Sequence, residues 1–162
     1  MAAVDYFLKI DGIPGEATAD KHKDEIQLES FSWGETNSGT SGHGPGSGAG
    51  KVVMQDFHFV MKVNKASPKL LVHCATGQHI KEATLTCRKA GKDQQEFLKY
   101  KFTDLVISSY QTGGSGHGDV VPTDQISFNF VKIDVTYKPQ KADGTLDAGT
   151  PVGYDLATQK AH

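Results

Sequence analysis

Apolar residues alternate with polar ones along most of the chain, the period-two signature of half-buried β-strands. Tyr6-Phe7-Leu8-Lys9-Ile10 is short and rich in strand formers, and Asp11-Gly12-Ile13-Pro14-Gly15 closes it with turn chemistry. Ile26 and Leu28 are followed by Phe31 and Trp33, so the apolar parity shifts from even to odd. One inserted residue restores a single buried face, and a bulge or bend is therefore expected near Glu29 and Ser30. A strand over 52–63 places Val53, Phe57, Phe59, Met61 and Val63 on one face, with Asp56, His58 and Lys62 on the other. Ala83, Leu85 and Cys87 alternate with Thr84, Thr86 and Arg88, and Leu98, Tyr100 and Phe102 continue the pattern, followed by 105–110. The longest run has Ile126, Phe128 and Phe130 on even positions, then Val131, Ile133, Val135 and Tyr137 on odd ones. That flip predicts a second bulge at Phe130-Val131. The expected core contains Phe31, Trp33, Phe57, Phe59, Leu85, Phe128 and Tyr137.

One stretch reads as helix. Ser67 suits the N-cap, Pro68 the first helical position and Gly77 the position after the end. Leu70, Leu71 and Cys74 between them can bury one side. A single short helix among about seven strands predicts a mainly β fold, a closed barrel or a sandwich, with a helical plug or flank. Any open edge must be closed, charged or paired with another chain.

Composition narrows this picture. The 162 residues fit one domain over 1–162, with the role of 150–162 left open. Seventeen basic and 19 acidic side chains leave a net charge of −2, without the basic excess of a nucleic-acid or anionic-membrane binder. No stretch reaches the ~18 apolar residues of a membrane span. Residues 1–10 lack the pattern of a secretory signal, so a cytoplasmic origin is expected. Two cysteines, Cys74 and Cys87, do not make a disulfide framework and are read as reduced, mostly buried residues. The 18 glycines concentrate in two loops, with six in 37–50 and four in 113–118. Such loops are flexible tips, or arms that become ordered on a neighbouring subunit.

Candidate chemistry does not survive inspection. Gly50-Lys51 lacks the phosphate-loop spacing, because Pro45 stands where the first glycine belongs and Val52 where a hydroxyl should bind magnesium. Ser41 and Ser115 each miss the nucleophile-elbow pattern by one residue, at His43 and His117. His73, Cys74, His79 and Cys87 have no zinc-site spacing, and adjacent helical positions such as His73 and Cys74 point about 100° apart. Asp24 and Glu25 read as a solvated strand entry, and Asp119 and Asp124 as turn residues. The expectation is a protein that is not an enzyme, with no catalytic residues, metal or cofactor.

The ordered motifs resemble a known family. Asp5-Tyr6-Phe7-Leu8-Lys9-Ile10 with Gly12, Gly15 and Glu16 resembles the start of the haemolysin-coregulated proteins (Hcp). Phe31-Ser32-Trp33-Gly34 running into a glycine-rich loop and Gly50-Lys51-Val52 does so too. The likeness continues through Gln55-Asp56-Phe57, Ser67-Pro68, Cys74, Gly77, Ala83 and Arg88-Lys89-Ala90-Gly91. It resumes at Ser108-Ser109, Thr112-Gly113-Gly114-Ser115-Gly116 and Tyr137-Lys138-Pro139-Gln140-Lys141-Ala142-Asp143-Gly144, and so covers roughly residues 4–149.

The resemblance implies a tube subunit of the bacterial type VI secretion system. The implied fold is a compact β-barrel of two sheets with one flanking helix and a long protruding Gly-rich loop. Implied partners are five further copies in a hexameric ring, stacked rings, spike and sheath components, and small effector proteins held in the ring lumen. Neither nucleic acid nor membrane insertion is expected. The implied localisation is cytoplasmic during assembly, then secreted without a signal peptide. Ser32 matches a lumen-facing serine of the family motif, and Ser30 shares its face, so both are candidate effector contacts. Ser41, Gly42, His43, Gly44, Gly113, Gly114, Ser115 and His117 are candidate subunit or ring contacts. The competing readings are a contractile phage-type tail tube protein and a monomeric β-sandwich binding module.

Overall fold

The computed structural model describes residues 4–39, 50–91, 93–118 and 121–162. Their main sheet is antiparallel throughout. Strand β1 (Val4–Ile10) pairs with β2 (Ile26–Leu28) on one side and with β7 (His79–Lys89) on the other. The order continues through β8 (Glu96–Gly113) to β9 (Thr123–Tyr137). The first half of β9 pairs with β6 (Phe57–Lys62), which pairs with β3 (Ser30–Ser32). Strands β2 and β3 are the two halves of one segment, 26–32, with the break at Glu29. The expected bend is thus a change of partner: β2 is bonded to β1 and β3 to β6. The Glu29 N–H donates to the Val60 carbonyl at 2.8 Å, and this single segment closes the sheet into a barrel.

Inward-facing side chains fill the barrel. Phe57, Phe102 and Phe128 are fully buried, with ring centroids 4.8–5.0 Å apart, and Phe59, Leu85, Ile126 and Phe130 surround them. Burying each such ring contributes about 1.5–3 kcal/mol. Phe31 and Trp33 are half-buried and pack against this cluster from the rim. Tyr137 belongs to it by parity alone. It is 58% exposed, because it lies beyond Val135, where β10 (Val152–Asp155) stops covering β9.

The apolar pattern misplaces several other features. The run over 52–63 breaks at Gln55-Asp56 into β5 (Val52–Met54) and β6. Strand β5 leaves the barrel and pairs with β4 (Glu35–Asn37) as a separate two-stranded arm, so Val53 is exposed. Val63, just past β6, is partly exposed too. At Phe130-Val131 the parity does flip, but the β8–β9 register does not shift, because β8 flips opposite it at Asp104 (φ 54°). The register shift falls instead between Ile107 and Ser109, so Ser108 is the extra residue. The tail adds strands that the sequence pattern did not signal: β10 on β9, and β11 (Lys160–Ala161) on β10.

Helix α1 (Ser67–Thr76) flanks the barrel. Its N-cap is Ala66, not Ser67, and no side chain caps it directly. Ser67 serves the barrel instead: its hydroxyl accepts the Asn64 N–H at 3.1 Å and donates to Asp124 at 2.6 Å. Asp124 is therefore no turn residue. It sits inside β9, fully buried, with its carboxylate at the positive end of the helix. Leu70 is buried, but Leu71 is half-exposed and Cys74 only partly covered.

Candidate functional site

Barrel closure turns one sheet face outward to solvent across β3, β6, β9 and β8. Because pairing across antiparallel strands keeps facing residues on the same side, two rows cross all four. Ser32, His58, Ser127 and Ser109 form one row, and Ser30, Val60, Gln125 and Gln111 the next. Ser30, Ser32, His58, Ser109, Gln111 and Gln125 are all exposed, whereas Phe31, Phe59 and Ile126 on the intervening row point into the barrel. Ser30 and Ser32 therefore lie at the edge of a wider polar face. His58, Ser109, Gln111 and Gln125 were not singled out from the sequence. The alternation put His58 opposite the apolar face, but nothing local said that it would meet Ser32 and Ser127.

The bulge at Ser108 braces this face. Two residues of β8 oppose Ser127 of β9, so Ser108 (2.8 Å) and Ser109 both hydrogen-bond its hydroxyl and cover it. Ser108 also donates to the Asp56 carboxylate at 2.5 Å, tying β8 to the start of β6. The face consequently offers neutral hydroxyl and amide groups on a rigid backing. Its rim brings in Lys62, which pairs with Thr123 opposite Gly113.

The glycine-rich segments lie elsewhere. Gly113, Gly114, Ser115 and His117 are exposed, with the His117 N–H donating to the Ser115 hydroxyl at 3.3 Å and Gly114 against Pro122. Ser41, Gly42, His43 and Gly44 fall outside the described residues. The base of their loop is ordered: Asn37 donates to the Gly50 carbonyl at 3.1 Å and accepts the Gly39 N–H at 2.8 Å.

Among the described residues no three His, Cys, Asp or Glu side chains converge as metal ligands. His73 bonds its own helix at Lys69, and His79 pairs with Asp104 at 2.9 Å in solvent. Cys87 is buried away from both, and burial pushes its thiol up to about 11. Asp24 is exposed but Glu25 is not a solvated residue, since it grips buried His22 at 3.0 Å.

A closed barrel with a broad neutral face and an ordered two-stranded arm is the build of a scaffold that works through its surfaces. The family described as "Type VI secretion system effector, Hcp" matches residues 7–137. Protein hcp1 of Pseudomonas aeruginosa is 43% identical over 153 residues, spanning 94% of this chain and 93% of that protein. Among solved structures, one described as a type six secretion system protein superposes with a TM-score of 0.92 at 32% identity, covering 99% of this chain and all of the other. Hcp1 from Salmonella typhimurium gives 0.80 at 34% identity, with 99% and 100% covered. The chain belongs to the Hcp family of type VI secretion tube proteins, a structural and non-enzymatic family whose members are secreted.

Proposed function

We propose that six copies of this chain close into a ring, that rings stack into a tube, and that the polar face of β3, β6, β9 and β8 lines the lumen. Small effector proteins would be held there, with Ser30 and Ser32 among their contacts. The observation that carries this reading is the pair of outward-facing rows across four strands, polar at every position but Val60. A face of that kind stays wet and can meet varied protein surfaces without a fixed charge pattern. The exposed loop 113–118 and the arm built on β4 and β5 are the surfaces for neighbouring subunits and rings, together with Ser41, Gly42, His43 and Gly44 of the segment that joins β4 to β5 in the sequence. A heterologous contact repeated around a six-fold axis closes without leaving a free edge. Assembly takes place in the cytoplasm, export follows with the spike and sheath of the machine, and residues 1–162 act as one tube unit.

Light scattering on the purified chain tests the ring: the expected mass is six times 17.4 kDa. A monomer at every concentration would sink it. For the lumen contact, Ser32→Gln should keep the ring mass and lower effector stability in the producing cell. An unchanged effector level in that variant removes Ser32 from the contact.

A further inference from the structure

A second buried cluster sits on the outside of the barrel, under the loop that joins β1 to β2. Phe7 faces outward, yet it is only 1% exposed, because His22 of that loop stacks on it at 4.5 Å with the rings 3° from parallel. His22 is itself 4% exposed. Its Nδ1 faces both carboxylate oxygens of Glu25 at 3.0 Å, and its Nε2 faces Glu96 of β8 at 2.7 Å. Carboxylates accept hydrogen bonds and do not donate them, so both contacts are made only when both ring nitrogens carry hydrogen. A singly protonated ring would leave a lone pair against a carboxylate in a buried place.

We propose that His22 is a proton-operated latch, closed in the doubly protonated state, that holds the 11–25 loop against the barrel. The charged groups around it come from every neighbouring element. Glu25 is on the loop itself. Arg88 of β7 lies 4.8 Å from the Phe7 ring, donates to the Asp20 carbonyl at 3.1 Å and is 3.8 Å from Asp5 of β1. Glu96 of β8 also meets Lys99 at 3.3 Å. Three carboxylates are thus set against Arg88, Lys99 and His22, and removing the His22 charge unbalances the set.

Most of the loop's backbone hydrogen bonds stay within it, while at its start Ile13 donates to the Ile10 carbonyl at 3.1 Å and Asp11 to the Glu82 carbonyl of β7 at 3.0 Å. Gly15 donates to the Asp24 carbonyl at 2.8 Å, Ala17 to Glu25 at 3.0 Å and Asp24 to Ala17 at 2.8 Å. Lys21 and Asp24 hold positive φ values of 68° and 65°, a cost that docking of the loop must offset. The loop runs directly into segment 26–32, which closes the barrel and carries Ser30 and Ser32. Opening the latch therefore loosens the closing segment.

The latch has two limits of pH. As pH rises, loss of the second ring proton removes one of the two contacts. At the acid end Glu96 is the sensitive partner. Burial works to raise its carboxyl, but the His22 hydrogen bond and Lys99 outweigh this and hold it below its usual range. Its contribution is present above the ordinary glutamate range and is lost as pH falls through the lowered value.

The latch does not depend on the tube reading, and its test involves neither ring mass nor effector. Nitrogen-15 NMR of the full chain can follow the His22 ring while amide exchange follows Ala17 and Asp24, each referenced to its free-peptide rate. Across a pH titration of the native chain, loop protection should fall about tenfold in step with loss of the second ring proton, while barrel amides such as Leu85 hold. Glu96→Gln should flatten that response to less than about threefold, since an amide can donate to a bare nitrogen. A ring carrying one proton with the loop still protected would overturn the proposal. So would protection that ignores the titration.

Discussion

At the residue scale, burial decides chemistry that residue type leaves open. Cys74 and Cys87 look alike in the sequence. Cys87 faces into the barrel on β7, 1% exposed, while Cys74 on α1 packs against the core but is only partly covered. Alkylation of the native protein followed by mass spectrometry should label Cys74 first, with Cys87 labelled only as the barrel opens. The same burial has a pH signature. Both folded and unfolded chains keep the Cys87 proton below the ordinary thiol range. As pH climbs from there toward about 11, only the unfolded chain gives it up, so stability should decline across that interval in urea titrations.

At the element scale, ends and crossings do more than propensity. Helix α1 stops at Gly77, whose φ of 65° lets its N–H reach the His73 carbonyl at 3.0 Å. A Cβ there meets nothing within 4 Å, so any penalty for a substitution is conformational and not steric. Gly77→Ala should cost about 1 kcal/mol, read as a lower denaturant midpoint with an unchanged slope. Gly153 is the opposite case. A Cβ on it would drive into the Ile133 carbonyl and the Asp134 and His162 side chains, which is why β10 can lie close along β9 only with glycine there.

At the scale of the whole molecule, charge is kept to the margins of the four-strand face, at Lys62 and Asp56. The ion pairs Lys101 to Glu82 at 2.8 Å and Lys99 to Glu96 at 3.3 Å lie on other parts of the sheet. The rows through Ser30 and Ser32 carry His58 as their one titratable side chain. Effector retention by the ring should therefore change less than about threefold between low and physiological salt. A steep salt dependence in a co-purification assay would move the contact to a charged surface.

Local patterning was enough for much of this protein. Strand positions, most of the aromatic core and the helix over 67–76 follow from the period of the apolar residues and from turn residues such as Pro68 and Gly77, because those preferences act over a few bonds. The ordered motifs likewise pointed to the family. What local pattern does not carry is which edge meets which. Segment 26–32 closes the barrel by bonding to β1 with one half and β6 with the other. Ser67 meets Asp124 across 57 positions, and His22 meets Glu96 across 74. Asp124 stands among turn formers and reads as a turn residue, and nothing beside His22 in the sequence marks it as buried, yet the fold covers both. Val53 and Tyr137 carry the apolar parity of core residues, but the arm and the strand end leave them in water. Alternation records which side of its own strand a residue takes; only closure of the sheet decides whether that side is covered.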